Sequence, residues 1–176
     1  MNTAQAGGNN DQVQGFAPVA GAGSRVLVLG SMPGVASLLQ GRYYAHPRNA
    51  FWPIAASVFG FDPGLDYAQR LQALQAAGVA LWDVLQACER PGSLDADIRG
   101  DTLVANDFAA FLERYPGIVR VCFNGAKAAA LYRRHVLPGL AVPLEYMDLP
   151  STSPAHAAAS FEHKLAAWGR ALKIED

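Results

Sequence analysis

Cysteine is scarce in this sequence, in which Cys88 and Cys122 are the only two. Two cysteines are too few for a disulfide framework or for a four-cysteine iron–sulfur or zinc site. The histidines His46, His135 and His163 show no paired-ligand spacing with a carboxylate, which also disfavours a zinc site. The sequence therefore predicts neither a metal nor a cofactor.

Charge of either sign is also limited. Charged residues make up 16% of the chain, and 14 Lys plus Arg against 15 Asp plus Glu give a formal net charge of −1. This balance excludes a broadly basic surface, so any contact with nucleic acid must be local. Long apolar runs are absent too, since no window approaches the roughly 18 apolar residues of a membrane span. We therefore expect no membrane contact.

A secretory signal is missing as well, because the first residues contain neither a basic nor an apolar region. We therefore expect a cytoplasmic protein with reduced thiols. The length of 176 residues suits one domain. We expect a flexible N-terminal tail over residues 1–24, followed by a single domain over residues 25–176 that acts as a monomer.

Short apolar runs alternate with stretches of helical periodicity along the chain. The apolar runs predict buried strands over 25–30, 79–82, 119–123 and 143–147. Helical spacing predicts helices over 51–59, 66–77, 125–135 and 157–173. Asn106 or Asp107 can cap a further helix that runs to residue 115. This alternation predicts an α/β fold, a three-layer sandwich with a short parallel sheet of about four strands flanked by helices.

Polar loops follow the predicted strands, and they read GSMPG, WDV, FNGAKA and DLPSTSPAH. In an open parallel sheet, ligands bind at the carboxyl ends of the strands, so we expect side chains from these loops to converge. GSMPG lacks the glycine and lysine spacing of nucleotide-binding loops. Any one of these loops, taken alone, is explained as well or better by ordinary turn formation.

Asn49 and His156 have the most distinctive surroundings. Asn49 lies in HPRNAFW, where it can act as a helix N-cap or as a catalytic hydrogen-bonding group. His156 lies in PSTSPAH, just before a predicted helix whose N-terminal amides attract anions. Its imidazole can donate a hydrogen bond to a departing anion. No acid or serine is spaced to form a catalytic triad with it.

Two adjacent tyrosines, Tyr43 and Tyr44, precede HPRN in a loop bounded by glycine, arginine and proline. A flat ring beside an arginine suits stacking on a nucleic-acid base. Two half-buried tyrosines with hydrated hydroxyls explain the pattern equally well.

Five segments together resemble a known family. In chain order they are GSMPG, GRYYAHPRNAFWPI, GVALWDVLQACERPGSLDADI, FNGAKA and LPSTSPAHA. They resemble the uracil-DNA glycosylase superfamily, and most closely its DNA-deoxyinosine (hypoxanthine) glycosylase branch, over about residues 25–172. The resemblance implies a monofunctional base excision repair enzyme without metal or cofactor. Such an enzyme flips a deaminated base, in deoxyinosine or also deoxyuridine, out of damaged double- or single-stranded DNA and hydrolyses its N-glycosidic bond.

The resemblance also implies roles for individual residues. Asn49 would be catalytic and hold the attacking water, and His156 would be catalytic and face the leaving base. At Met32, relatives usually carry a polar residue that orients this water, which a thioether cannot do. The base-binding residues that the resemblance implies are Tyr44, Asp83, Ser31 and Met32. The phosphate-binding residues that it implies are Ser151, Thr152, Ser153, Asn124 and Lys127, with Arg42 and Arg48 as further local candidates.

Two other functions fit the same sequence. A mismatch-specific uracil or thymine DNA glycosylase would use the same scaffold with a different base pocket. A non-catalytic DNA-binding module would explain Met32, whereas Asn49 and His156 argue for an enzyme.

Overall fold

The computed structural model describes residues 11–175, which contain seven strands and six α-helices. In chain order they are β1 (Gln12–Gln14), β2 (Val26–Gly30), α1 (Val35–Gln40), α2 (Phe51–Phe59), α3 (Tyr67–Ala76), β3 (Val79–Asp83), β4 (Leu85–Glu89), β5 (Val104–Ala105), α4 (Phe108–Arg114), β6 (Arg120–Asn124), α5 (Ala126–His135), β7 (Glu145–Leu149) and α6 (Phe161–Leu172). Short 3₁₀ turns at Asp95–Asp97 and Leu137–Gly139 complete the regular structure of these residues.

Four strands form a parallel sheet in the order β3-β2-β6-β7. All residues of β2 and β3 are buried, as expected for short apolar strands covered on both faces. The register places Leu29 of β2 opposite Trp82 of β3 and Phe123 of β6, so the three strands end at nearly the same level. The parallel sheet of four strands predicted from the sequence is confirmed.

Alternate residues of β2 point into two hydrophobic cores on opposite faces of the sheet. On one face, Leu27 belongs to the same core as Tyr132 of α5, together with residues of α4. On the other face, Val28 belongs to the same core as Trp168 of α6, together with residues of α2 and α3. Helices therefore cover both faces, which confirms the three-layer sandwich. No helix within residues 11–175 is long and apolar enough to cross a membrane.

A second, antiparallel sheet of order β1-β4-β5 is absent from the sequence-based prediction. Only Val84 separates β3 from β4, so the chain passes from one sheet directly into the other. The strand LQACE shows no regular alternation of apolar and polar residues, and β5 has only two residues. Both strands therefore depend on pairing with distant parts of the chain, which local periodicity does not reveal.

Residues 11–24 do not form a free tail. Val13 of β1 pairs with Cys88 of β4 in antiparallel register. Val19 and Leu81 exchange two backbone hydrogen bonds of 2.9 and 2.8 Å. These contacts satisfy backbone groups at the edges of both sheets, which would otherwise remain unpaired. The expected flexibility of residues 1–24 is therefore wrong for residues 11–24, and residues 1–10 lie outside the described part of the chain.

The last helix begins later than predicted. Ser160 is the N-cap of α6, and its hydroxyl accepts a hydrogen bond from the backbone N–H of His163 at 3.2 Å. The alanines that precede Ser160 favour a helix by propensity, but a serine cap fixes its start four residues later than residue 157. His156 therefore lies in a loop and not at a helix N-terminus.

Candidate active site

A cleft of about 460 Å³ opens at the carboxyl edge of the parallel sheet. Its walls are loops that follow β2, β3, β6 and β7, joined by the loop that precedes α2 and by residues 93–95. Among the residues that line it are Asn49, His156, Tyr44, Asp83, Ser31, Met32, Ser151, Thr152, Ser153, Asn124 and Lys127. The structure thus brings together every site residue predicted from the sequence except the exposed Arg42 and Arg48.

Asp83 lies on the floor of this cleft and is 4% exposed. A Cβ at Gly30 would come within 2.5 Å of its Oδ1, so a larger residue at the end of β2 would have to displace the carboxyl group. Its Oδ2 is buried without a hydrogen-bond partner. Desolvation, helped by the nearby negative charge of Asp95 and opposed by Arg90, raises the pKa of Asp83 to about 7.

Asp95, to which the sequence assigned no role, reaches the cleft from the loop after β4. Its carboxylate accepts a hydrogen bond from the hydroxyl of Ser31, which is itself buried. The same loop is held near α1, because the hydroxyl of Ser93 accepts from the backbone N–H of Val35 at 3.1 Å. Nothing in the local sequence indicates that this loop lies against the GSMPG segment.

Tyr44 has a positive φ of 54°, which is unusual for a residue other than glycine. One side of its ring packs on Phe51, with centroids 4.3 Å apart and planes inclined by 33°. Its hydroxyl is buried near the side chain of Asn124 without the geometry of a hydrogen bond, and it lies close to Gly30 on the cleft floor. By contrast, the hydroxyl of Tyr43 donates to the backbone carbonyl of Ala17 at 2.9 Å, which ties that ring into the core.

Asn49 is half-buried at the wall of the cleft. Its Oδ1 accepts a hydrogen bond from the backbone N–H of Phe51 at 2.9 Å, although Ala50 occupies the N-cap position itself. The backbone N–H of Ala50 donates to the carbonyl of Thr152 at 2.9 Å. This bond joins the backbone next to Asn49 to the PSTSP segment.

Thr152 is 1% exposed and is held by the side chain of Asn124. Such burial leaves Thr152 no surface to offer to a phosphate, so the role expected for it from the sequence does not fit its position. Gly125, the residue after Asn124, has a φ of 96°, and a Cβ there would come within 3.1 Å of the Cβ of Ser151. The loop over residues 151–156 therefore packs closely against the end of β6.

His156 is exposed at the mouth of the cleft. Its backbone N–H donates to the carbonyl of Ser153 at 3.0 Å, and its own carbonyl accepts from Nζ of the buried Lys164 at 2.8 Å. Ser151 accepts from the backbone N–H of Ser153 at 3.2 Å, and both serines are half-buried. Lys127 is half-buried in the first turn of α5, on the same side of the cleft as Gly125.

Comparison with known proteins identifies the family of the chain that carries this cleft. The model of the Uracil DNA glycosylase superfamily matches residues 18–172. The chain belongs to that superfamily. The resemblance inferred from the sequence is therefore confirmed.

Two curated proteins to which this chain is similar are named hypoxanthine DNA glycosylase. The protein of Methanosarcina barkeri (strain Fusaro / DSM 804) is 38% identical over 116 residues, which cover 65% of this chain and 72% of the relative. The protein of Methanosarcina acetivorans is 35% identical over 144 residues, which cover 81% of this chain and 87% of the relative. A solution NMR structure of a candidate uracil DNA glycosylase from M. acetivorans superposes with a TM-score of 0.75 at 32% identity, over 92% of this chain and 98% of that one.

Met32 lies in the GSMPG segment that follows β2. The side chain is 6% exposed and belongs to the hydrophobic core beneath the cleft, where its Sδ would lie 3.6 Å from a Cβ at Gly15. A thioether in this position adds apolar surface and no group that orients water. Any side chain that holds water in the cleft must therefore belong to another residue.

Proposed function

We propose that this DNA glycosylase removes hypoxanthine from deoxyinosine in DNA by flipping the nucleotide into the cleft and hydrolysing the N-glycosidic bond. The convergence of Asn49, His156, Tyr44 and Asp83 in one cleft carries the proposal. The volume of about 460 Å³ lies within the roughly 300–1,000 Å³ range of sites that enclose small organic ligands. The names of the two Methanosarcina relatives support hypoxanthine as the base.

The reaction passes through a sugar with oxocarbenium character and a leaving base that gains negative charge. Asn49 would hold the attacking water by hydrogen bonds, which suffices because a near-cationic sugar does not need a strongly activated nucleophile. His156, at the mouth of the cleft, would donate a hydrogen bond to the leaving base. The ring face of Tyr44 that does not pack on Phe51 would stack on the flipped base.

The polar loop over residues 151–156 supports a contact with the DNA backbone. Ser151 and Ser153 are half-buried at its surface, and Lys127 lies on the neighbouring helix. We assign the phosphate contacts to these three residues, because hydroxyls, backbone N–H groups and ammonium groups serve this role in DNA-binding proteins. Asn124 and Thr152 would act beneath them as positioning residues.

The substrate range and assembly follow from the same cleft. Uracil presents an N–H beside a carbonyl, as hypoxanthine does, and it is smaller, so we propose deoxyuridine as a second substrate. One chain supplies all the residues named in the site, so a monomer would be sufficient. We expect sedimentation of the free enzyme to give the mass of one chain.

A matched set of duplexes tests this function. Each carries one deoxyinosine, one deoxyuridine, a G·T mismatch or no lesion in the same sequence, with enzyme in excess and released bases identified by mass spectrometry. We expect hypoxanthine release to be fastest, uracil release to be slower and the unmodified duplex to remain intact. Release of thymine from the G·T mismatch, without release of hypoxanthine from deoxyinosine, would support a mismatch-specific enzyme instead. Binding to abasic DNA without release of any base would support a non-catalytic module.

A further inference from the structure

Two polar atoms are buried without partners on the floor of the cleft. They are Oδ2 of Asp83 and the hydroxyl oxygen of Tyr44, and both side chains converge on Gly30 at the end of β2. A buried polar atom that lacks a partner costs about 1–3 kcal/mol, so such atoms call for an explanation. Because both residues line an open cleft, a bound ligand can provide the missing partners.

The groups around Asp83 decide its charge. Asp95 faces it from the loop after β4, with its carboxylate held by Ser31, and Tyr44 faces it from the loop before α2. Arg90, at the end of β4, supplies the nearby positive charge, but its guanidinium also donates to the carbonyl of Gly92 at 2.9 Å. Lys127, His46 and His156 line the same cleft. Burial and the negative charge of Asp95 raise the pKa of Asp83 more than the positive charge of Arg90 lowers it, so this pKa is about 7.

We propose that Asp83 carries a proton in the free enzyme and transfers it to the purine base as the N-glycosidic bond breaks, so that Asp83 is a general acid. This inference rests on the proposed function. A carboxylic acid at this position satisfies its own unpartnered oxygen by binding the base. A carboxylate there would repel the negative charge that the leaving base acquires.

The proton balance of the step is simple. The C1′–N9 bond breaks, and its electron pair stays with the purine. The carboxyl proton of Asp83 moves to an unsubstituted ring nitrogen of that purine. The purine therefore leaves as a neutral base. Water adds its oxygen to C1′ and releases a proton, and Asp83 recovers a proton from solvent once the base has left.

This role selects a class of substrate. A purine keeps unsubstituted ring nitrogens that accept a proton, whereas uracil offers carbonyl oxygens, which are much weaker bases. Proton transfer from Asp83 therefore favours purine lesions over uracil. Asn49 cannot provide the proton because an amide is not an acid at neutral pH. His156 is exposed at the mouth of the cleft, whereas Asp83 lies buried on its floor.

The deciding experiment compares pH–rate profiles under single-turnover conditions with deoxyinosine and deoxyuridine duplexes. We expect the wild-type rate on deoxyinosine to be constant at low pH and to fall about tenfold per pH unit above pH 7. Asp83→Asn keeps the shape and cannot release a proton. At pH 6 the rate of Asp83→Asn on deoxyinosine should be at least about 100-fold below that of wild type. Its rate should also not fall above pH 7. Its rate on deoxyuridine should change much less.

Two variants separate Asp83 from other titrating groups. Asp95→Asn removes a negative charge beside Asp83, so the fall in rate should move to lower pH. His156→Ala should be slower but should keep the fall near pH 7. Asp101→Asn, at an exposed position, serves as the matched control and should leave the profile unchanged. A fall that persists in Asp83→Asn, or that disappears in His156→Ala, would overturn the assignment.

A direct titration covers the case in which Asp83→Asn fails to fold. Carbon-13 NMR of the aspartate carboxyl groups in the wild-type enzyme should show one group that titrates near pH 7 and that is missing from the aspartate signals of Asp83→Glu. Absence of such a group in wild-type enzyme that releases hypoxanthine would refute the acid role and leave the proposed function intact. Absence of base release from every duplex would refute both.

Discussion

Asn124 and Thr152 are joined by a reciprocal pair of hydrogen bonds at the carboxyl edge of the parallel sheet. Nδ2 of Asn124 donates to Oγ1 of Thr152, and Oδ1 of Asn124 accepts from the backbone N–H of Thr152, each at 2.9 Å. Both residues are buried. The pair fastens the loop that carries Ser151, Ser153 and His156 to the end of β6, so the placement of these groups depends on it.

This pairing predicts a loss of stability in Asn124→Ala. The substitution leaves two buried groups of Thr152 without partners, and each costs about 1–3 kcal/mol, so we expect the free energy of unfolding to fall by about 2–6 kcal/mol. Urea denaturation measures this change. Thr152→Ser keeps the hydroxyl and should stay within about 1 kcal/mol of wild type, whereas equal stability of Asn124→Ala and wild type would mean that the pair is not formed.

The central sheet could be predicted from the sequence because its strands are short, apolar and locally recognisable. β2, β3 and β6 lie within two residues of their predicted positions, and α2 spans the predicted residues 51–59. The second sheet could not be predicted in this way. β1 is held by β4, more than 70 residues away in sequence, and the contact is a backbone ladder that the local pattern does not encode.

The candidate site shows the same division. The segments that contribute Asn49, Asp83 and His156 could be identified because they lie at or after the ends of strands or match long motifs. The hydrogen bond from Ser31 to Asp95 joins segments 64 residues apart and could not be inferred from either segment. The buried hydroxyl of Tyr44 likewise depends on a positive φ that its local sequence did not suggest.

Asn49→Ala should separate catalysis from capping. If Asn49 holds the water, the single-turnover rate on deoxyinosine should fall by about 100-fold or more. Loss of the hydrogen bond to Phe51 should reduce stability by only about 1 kcal/mol. Asn49→Ser keeps an acceptor for that backbone N–H, so it should recover stability without recovering rate. A rate for Asn49→Ala equal to that of wild type would leave Asn49 with a capping role alone.

His156 and the two serines should affect different kinetic quantities. A donor to the leaving base changes the energy of the transition state, whereas a phosphate contact changes mainly the binding of DNA. His156→Ala should therefore lower the rate at saturating enzyme, and Ser151→Ala and Ser153→Ala should mainly raise the dissociation constant for duplex DNA. Serine variants that control the rate while the histidine variant alters only affinity would reverse the assigned roles.

Tyr44 should act through its ring and not through its hydroxyl. The hydroxyl has no partner in the free enzyme, so Tyr44→Phe should be as stable as wild type or slightly more stable. Its kcat/KM on deoxyinosine should stay within about twofold, whereas Tyr44→Ala should lose about 1–3 kcal/mol of specificity through lost stacking. If Tyr44→Phe is as defective as Tyr44→Ala, the hydroxyl binds the base. If both variants are normal and Tyr43→Ala is not, the stacking ring is Tyr43.

Asp83 should also make the stability of the free enzyme dependent on pH. Its pKa is about 7 in the folded chain and near its ordinary value of 3.8 in the unfolded chain, so the folded state binds more protons between these values. The contribution of Asp83 to stability is therefore fully present below pH 3.8 and is lost as the pH rises through 7.

Between pH 5 and pH 8 this linkage amounts to a loss of about 2–3 kcal/mol. Asp83→Asn cannot titrate, so its free energy of unfolding should gain that amount relative to wild type over the same interval. Urea denaturation of both proteins at several pH values measures the difference, and Asp101→Asn shows whether removal of an exposed carboxylate has the same effect. Parallel curves for wild type and Asp83→Asn would mean that Asp83 is ionised in the folded enzyme throughout this range.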